Sequence, residues 1–234
     1  MSAATALTLA DRDLRQRDLV PPERLARCHA LVIGVGAIGR QVALQLAAMG
    51  VPCLTLCDHD TVGPENLASQ GYCVEDLGTQ KVVATAELCR RLNLSVHVHA
   101  VAERFKRSTA RTIAGDKRLI VFACVDSIST RRLLWESLRH SVALFIDGRM
   151  SAEVLRVLAV ASPATDAGYA ATLFDEAEAF TGSCTGRSTI YTASIAAGLM
   201  VGQWTRWLRS IPVDADLTLN LLASELSLAS IASS

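Results

Sequence analysis

Apolar and polar positions alternate in blocks along the first 150 residues, and the blocks predict strands and helices in turn. The run at 30–35 is apolar throughout, which is typical of a parallel strand buried on both faces. A helix is predicted over 37–49, because Gly50 follows it and Pro52 lies just beyond. Further strands are predicted over 54–57, 95–100, 119–123 and 143–146, and helices over 78–92, 108–114 and 129–140. This alternation predicts an α/β fold with a Rossmann-like, doubly wound, mainly parallel sheet.

The C-terminal third has a different pattern. Alternating apolar positions predict antiparallel strands over 153–161 and 217–222, added to the parallel sheet. The uncharged stretch at 188–205 contains serine, threonine and glutamine, so it is too polar for a membrane span and predicts a buried helix over about 189–208. We therefore expect an N-terminal helical arm at 1–29, a single domain at 30–224 and a flexible tail at 225–234.

Composition narrows the function classes. The chain has 234 residues, with 23 Lys+Arg against 23 Asp+Glu, so it lacks the basic excess of a nucleic-acid-binding protein. Residues 11–18 are highly charged, so we expect no signal peptide. Seven dispersed cysteines, an odd number, fit a reducing compartment. The expectation is a cytoplasmic protein that binds neither nucleic acid nor a membrane.

A glycine motif follows the first predicted strand. Residues 34–39 read GVGAIG, placing Gly34, Gly36 and Gly39 between a strand and the start of a helix. Such glycines let the backbone approach a phosphate, while the helix N-terminus supplies N–H donors. Asp58 ends the second predicted strand, where an acidic side chain accepts from ribose hydroxyls. These features favour an adenine nucleotide over a simple packing turn, and they leave ATP and NAD as alternatives.

Three further segments share a pattern with a known family. After Asp58 the chain reads HDTVGPENLASQ, followed by Lys81, which resembles the D-x-D-x-V, N-L-x-R-Q and downstream lysine of the ThiF/MoeB/HesA family, bacterial relatives of ubiquitin-activating enzymes. Residues 12–16, RDLRQ, are similar to that family's R-Y-x-R-Q. Residues 124–127, CVDS, together with Arg131, are similar to its D-N-x-x-x-R. The matches occur in the family's order over about residues 11–150.

The resemblance implies an adenylyltransferase that uses ATP and Mg²⁺. It implies that Asp58 binds the ribose, that Asp60 lies beside the nucleotide, and that the 34–39 loop and Lys81 bind the phosphates. Asn66 would contact the phosphates or the acyl carboxylate, and Asp126 would bind Mg²⁺. Arg15 would be an arginine finger that reaches the other subunit's site. Attack of a carboxylate on the α-phosphate joins two anions, so a site with several cations suits this chemistry. Blander roles remain for three residues: Asp126 as a helix cap, Lys81 as a solvated surface residue, and Arg15 as a charge on a wet helix.

Two departures from the family pattern stand out. Ser69 occupies the position of the arginine in N-L-x-R-Q, so one cation is missing unless Arg131, Arg12 or a partner residue replaces it. The paired C-x-x-C motifs that bind zinc in many relatives are also missing, and His97 and His99 lack a nearby third ligand. We therefore expect no structural zinc and no metal besides Mg²⁺.

Cys184 lies in the segment TGSCTGR at 181–187, just before the long predicted helix. Arg187 and the helix N-terminus would both favour its thiolate, and cysteines of this region in relatives accept the activated acyl group or sulfur. The resemblance thus implies a homodimer that adenylates the C-terminal carboxylate of a small ubiquitin-like or sulfur-carrier protein. A thioester on Cys184 and a conjugating enzyme as a further partner would follow. The alternatives are a relative acting on a peptide or tRNA-bound carboxylate, a non-catalytic scaffold, and an NAD(P)-dependent oxidoreductase.

Overall fold

A computed structural model describes residues 12–113, 118–166, 168–173 and 188–229. Within these residues one eight-stranded sheet consists of β1 (Cys28–Ile33), β2 (Cys53–Cys57), β3 (His97–Val101), β4 (Arg118–Ala123), β5 (Leu144–Ser151), β6 (Val154–Val160), β7 (Asp216–Asn220) and β8 (Glu225–Ala229). The α-helices are α1 (Pro22–Leu25), α2 (Ala37–Met49), α3 (Glu65–Gln70), α4 (Lys81–Leu92), α5 (Arg107–Ile113), α6 (Ile128–Leu138) and α7 (Ile190–Leu208). Short 3-10 turns occupy Val74–Asp76 and Tyr169–Thr172.

The strand order is β3-β2-β1-β4-β5-β6-β7-β8. The first five strands of this order pair in parallel, and β6, β7 and β8 pair antiparallel. The predicted mainly parallel sheet with antiparallel C-terminal strands is therefore confirmed. The chain runs outward from β1 in one direction and restarts at β4 in the other, so the carboxyl ends of β1 and β4 mark the switch point at which such sheets bind ligands.

Both faces of the parallel strands are buried, as the uninterrupted apolar run predicted. In β1, Ala30 and Val32 point into a core covered by α2, α4 and α7. Leu31 and Ile33 point into the opposite core, covered by α6. The predicted burial of α7 is also confirmed, since its inner face is buried along most of its length. No helix of the described residues has the length and apolarity needed to cross a membrane.

Three local expectations are corrected. The 58–72 segment, in which no helix was predicted, contains α3, whose six residues are too few to show a helical period. Residues 12–19, expected as helix, form successive turns before α1. Residues 225–229, expected within a flexible tail, form β8, which pairs with β7 while its side chains stay exposed. Leu226 and Leu228 alternate with other residues as in a strand, but both leucines are exposed, so the pattern reflects pairing with β7 and not burial in the core.

Candidate nucleotide-binding site

Backbone contacts explain two glycines of the 34–39 loop. Gly34 has a φ of +84°, and a Cβ added there would lie 2.5 Å from the carbonyl oxygen of Cys124. A Cβ on Gly39 would lie 1.8 Å from the carbonyl oxygen of Gly34. The loop therefore packs directly on the segment that follows β4. Gly36 precedes α2 without a side-chain cap, and the first turn of α2 holds no acidic residue. This end of α2 has the N–H donors and the partial positive charge of an anion site.

Asp58 fixes the glycine loop through the Val35 peptide. Its Oδ2 accepts a hydrogen bond from the Val35 N–H at 2.6 Å, and its Oδ1 accepts from the Asp60 N–H at 2.8 Å. On the other side, the Tyr72 hydroxyl donates to the Val35 carbonyl at 2.7 Å. Each carboxylate oxygen retains a second lone pair, so the role of Asp58 toward a ribose is compatible with these contacts.

Lys81 is a buried cation at the same edge of the sheet. Its side chain is 7% exposed, and its Nζ lies 3.0 Å from Oδ2 of Asp60, which is about half exposed. Burial opposes ionisation of Asp60, but the hydrogen bond and charge of Lys81, helped by His59 and Arg104, outweigh it and lower the pKa of the carboxyl. The alternative of Lys81 as a solvated surface residue is therefore wrong. Its ammonium keeps further donors for a phosphate.

Asp126 lies exposed on the loop after β4, and Cys124 of that loop abuts Gly34. Ser127, not Asp126, caps α6, because its Oγ accepts from the Thr130 N–H at 3.2 Å. The helix-cap alternative for Asp126 is therefore wrong, and its carboxylate is available at the switch point.

A second set of carboxylates borders the loop. Among the described residues, the single group that brings three metal-ligating side chains together is Asp58, His59 and Asp60, whose ligand atoms lie within 4.8 Å of one another. Carboxylate oxygens suit Mg²⁺, so both this group and Asp126 have suitable donors.

Asn66 is buried in α3, where its Oδ1 accepts from the Gly63 N–H at 2.9 Å and shapes the loop before the helix.

Arg15 is exposed in the turns at 12–19, and the neighbouring residues tie that segment to the far end of α2. Arg12 donates to the carbonyls of Ala47 and Ala48, and Gln16 donates to Met49 at 2.8 Å. Since 13 helical residues span about 20 Å, the fold holds this segment away from its own chain's glycine loop. Arg15 is therefore placed far from the glycine loop of its own chain.

Cys184 and Arg187 lie outside the described residues. Among the described cysteines, burial raises the pKa of Cys57, Cys89 and Cys124 to about 12, so their thiols are protonated at neutral pH. Cys73 is exposed.

The ThiF family model matches residues 10–228. The chain belongs to the ThiF family. Among curated relatives it is 34% identical over 140 residues to the SAMP-activating enzyme E1 of Haloferax volcanii, covering 57% of this chain and 52% of that protein. It is 39% identical over 127 residues to the adenylyltransferase and sulfurtransferase MOCS3 of Sus scrofa, covering 50% and 28%. The chain thus spans about half or less of the length of these relatives.

Solved structures of the ThiF type share the fold. PaaA superposes with a TM-score of 0.76 at 20% identity, covering 99% of this chain and 75% of that one. Escherichia coli MccB, crystallised with ATP, superposes with a TM-score of 0.72 at 14% identity, covering 91% and 66%. Nearly the whole of this chain therefore has the fold of these structures, of which it covers 75% and 66%.

The ThiF arginine replaced by Ser69 is not restored by either arginine that the sequence suggested. Arg131 is buried and forms an ion pair with Asp147, which also accepts from Arg149 Nε at 2.8 Å and from the Tyr169 hydroxyl at 3.0 Å. Arg12 is held at the far end of α2, as described above. Ser69 itself donates to the carbonyl of Glu65 at 2.9 Å.

Three residues at the site were missed from the sequence. The Gln70 side-chain amide lies against Gly36, with Oε1 3.8 Å from where a Cβ would stand, and this oxygen is buried without a hydrogen-bond partner in the described structure. The other two residues are Tyr72, whose hydroxyl donates to the Val35 carbonyl of the loop, and Arg40, whose guanidinium stacks over the Tyr72 ring. Gln70 belongs to the N-L-x-R-Q motif and Arg40 directly follows the third glycine, so both lie next to signals that the sequence displays.

Proposed function

We propose that this ThiF-family chain uses ATP to adenylate the C-terminal carboxylate of a small ubiquitin-like or sulfur-carrier protein. The observation that carries the proposal is the meeting of the glycine loop, Asp58 and the ion pair of buried Lys81 with partly exposed Asp60 at the carboxyl ends of the parallel strands. The similarity to an E1 that activates SAMP and to MOCS3 adenylyltransferases supports this substrate class.

The reaction would join a carboxylate oxygen of the carrier to the α-phosphorus of ATP, while the bond to the β-phosphate breaks and pyrophosphate leaves. Most of the catalysis is charge placement. The N-terminus of α2 faces the phosphates, and Lys81 would exchange part of its contact with Asp60 for a phosphate oxygen. Mg²⁺, when bound, would offset the charge of the leaving pyrophosphate, and Asp126 is the carboxylate that we assign to it.

Assembly and later steps extend the proposal. A two-fold dimer would bring Arg15 of one subunit to the other subunit's nucleotide, which fits its placement far from its own loop. Cys184 would then accept the acyl group as a thioester, with release of AMP, before transfer to a conjugating enzyme. A cytoplasmic location suits a chain with seven dispersed cysteines, an odd number.

Exchange of labelled pyrophosphate into ATP tests the adenylation step. The assay needs the full chain, Mg²⁺ and small carrier proteins that end in Gly-Gly. Asp126→Ala should lower the exchange rate at least a hundredfold, because a metal and its charge are lost together. Asp18→Ala, which removes an exposed carboxylate from the N-terminal turns, is the matched control and should leave exchange unchanged. Full exchange in Asp126→Ala would remove that residue from the mechanism.

Ser69 favours a second candidate, a nucleotide-binding scaffold that pairs with an active relative. This candidate predicts that the chain binds ATP but exchanges no pyrophosphate with any carrier tested. If the missing cation is the sole defect, the Ser69→Arg variant should then exchange pyrophosphate into ATP at a measurable rate.

A further inference from the structure

Arg40 is a buried cation that forms no ion pair with the described residues. It lies in the first turns of α2, one residue after the third glycine, and is 1% exposed. Its guanidinium donates to the Gly71 carbonyl from Nη2 at 2.8 Å and from Nε at 3.2 Å, and to Thr85 Oγ1 at 3.4 Å. These acceptors are neutral, and no carboxylate of the described residues forms an ion pair with it.

Arg40 reaches the glycine loop by two short routes. Its guanidinium stacks over the Tyr72 ring at 4.2 Å from the centroid, and the Tyr72 hydroxyl donates to Val35 in the loop. Its acceptor Gly71 follows Gln70, whose side-chain amide lies against Gly36. The Tyr72 side chain thus links Arg40 to the Val35 peptide, and the Gly71 carbonyl that accepts from Arg40 is next in the chain to Gln70. Arg40 is therefore close to the backbone that we propose to bind the phosphates.

The position of this charge is unfavourable unless an anion compensates it. The first turns of a helix already carry positive partial charge, so a cation there opposes the dipole. A buried charge without a counter-ion is also strongly destabilising in a protein interior. The segment that holds it otherwise provides only carbonyl and hydroxyl oxygens and an aromatic face. An anion seated at the glycine loop would offset both costs.

We infer that Arg40 takes the place of the cation that is missing at Ser69. From its buried position its charge stabilises the phosphates of the bound nucleotide. It acts through Tyr72 and the Val35 peptide, and is a positioning residue rather than a catalytic one. The inference rests on the proposed function, because the anion in question is the triphosphate of ATP.

Paired binding measurements with ATP and adenosine separate a charge effect from a structural one. Isothermal titration of the full chain would compare wild type with Arg40→Met and Arg40→Lys. Arg40→Met should weaken ATP at least tenfold and change adenosine less than twofold. Arg40→Lys, which keeps the charge but loses the forked contact to Gly71, should retain most of the ratio between the two affinities. The double variant Arg40→Met/Ser69→Arg should recover most of the lost ATP affinity.

Arg118→Met is the matched control. Arg118 also stacks on an aromatic ring, that of Trp207 at 4.2 Å, but it begins β4 and so lies at the amino end of this strand, whereas the glycine loop follows the carboxyl end of β1. Both affinities should stay unchanged in this variant. Equal weakening of ATP and adenosine by Arg40→Met, without rescue by Ser69→Arg, would overturn the inference.

Other outcomes also decide. If Arg40→Met fails to bind adenosine because it does not fold, a Lys variant that loses ATP and adenosine equally overturns the inference, and one that keeps the ratio supports it. A wild type that binds adenosine and ATP while the Met variant keeps the same ratio overturns only the role of Arg40. A wild type that binds neither ligand contradicts the proposed function as well.

Discussion

Single residues place the charges of the site before any ligand arrives. Lys81 would be destabilised by burial if it stood alone, and Asp60 provides its counter-ion from a partly exposed position. The pair therefore links α4, which begins at Lys81, to the loop after β2. A change at either residue should be felt both in stability and in nucleotide binding.

The Asp60–Lys81 pair makes stability depend on acidic pH. The contact with Lys81 holds the folded pKa of Asp60 below its ordinary value of 3.8, so its stabilising contribution is complete above about pH 5 and is lost as pH falls below about 4. Asp60→Asn should lower the free energy of unfolding by about 1 kcal/mol or less at pH 7, given the exposure of Asp60. Urea titrations at pH 7 and pH 3.5 check this, and an equal difference at both pH values would contradict it.

Thiol chemistry gives a second test at this scale. Cys57, Cys89 and Cys124 should resist iodoacetamide in the folded protein at pH 8, because burial keeps them protonated, whereas Cys73 should react at once. With ATP, Mg²⁺ and a Gly-Gly carrier, an adduct sensitive to dithiothreitol should then form on a non-reducing gel. Cys184→Ala should abolish it while pyrophosphate exchange continues, and Cys73→Ala should not. An adduct that survives Cys184→Ala would assign the acceptor to another cysteine.

The sequence predicted which residues form the site better than it predicted the ion pairs and hydrogen bonds that nearby residues make. The glycines, Asp58 and Lys81 follow motifs with fixed spacing, and the structure joins them at one edge. The ion pair of Arg131 with Asp147 and the burial of Arg40 could not be predicted, because sequence does not show whether a charge in an amphipathic helix faces water or the interior. The role of Ser127 as the cap of α6 was equally open, since Asp126 and Ser127 are both common caps.

At the scale of elements, α2 connects two functions at its two ends. Its N-terminus adjoins the glycine loop, and its C-terminus holds the 12–19 turns through Arg12 and Gln16. The helix was predicted with its bounds, since an apolar face and a terminal glycine define it. The short α3 is too brief to show a helical period, and β8, although its two leucines alternate, is exposed and was assigned to a tail.

Two glycine-to-alanine changes should have opposite signs. Gly39→Ala would place a Cβ 1.8 Å from the Gly34 carbonyl, so the glycine loop must move, and we expect a loss of about 3 kcal/mol or more in the free energy of unfolding. Gly198→Ala lies within α7 with no atom within 4 Å of the added Cβ, and should gain about 0.5–1 kcal/mol. Denaturant unfolding measures both. A neutral Gly39→Ala would mean that the loop has another stable arrangement.

At the scale of the whole molecule, the distance of Arg15 from its own loop predicts shared active sites. Arg15→Ala and Asp126→Ala homodimers should each lose pyrophosphate exchange. After subunit exchange of an equal mixture, half the dimers are mixed and each holds one intact site, so about a quarter of the sites should recover. Proven subunit exchange without any recovery would show that Arg15 does not act across the interface.

The Val35 peptide, held by Asp58 on its N–H and by Tyr72 on its carbonyl, also affects the rates at which a nucleotide binds and leaves. Because side chains of this chain hold the peptide on both sides, binding of a nucleotide would remove little conformational entropy there. Its amide hydrogen can exchange with solvent only when the Asp58 contact opens, so deuterium uptake at Val35 should be slow even in the empty protein. Association with ATP would then proceed at the rate of encounter, and the lifetime of the complex would be set by the opening of the contacts that hold the nucleotide.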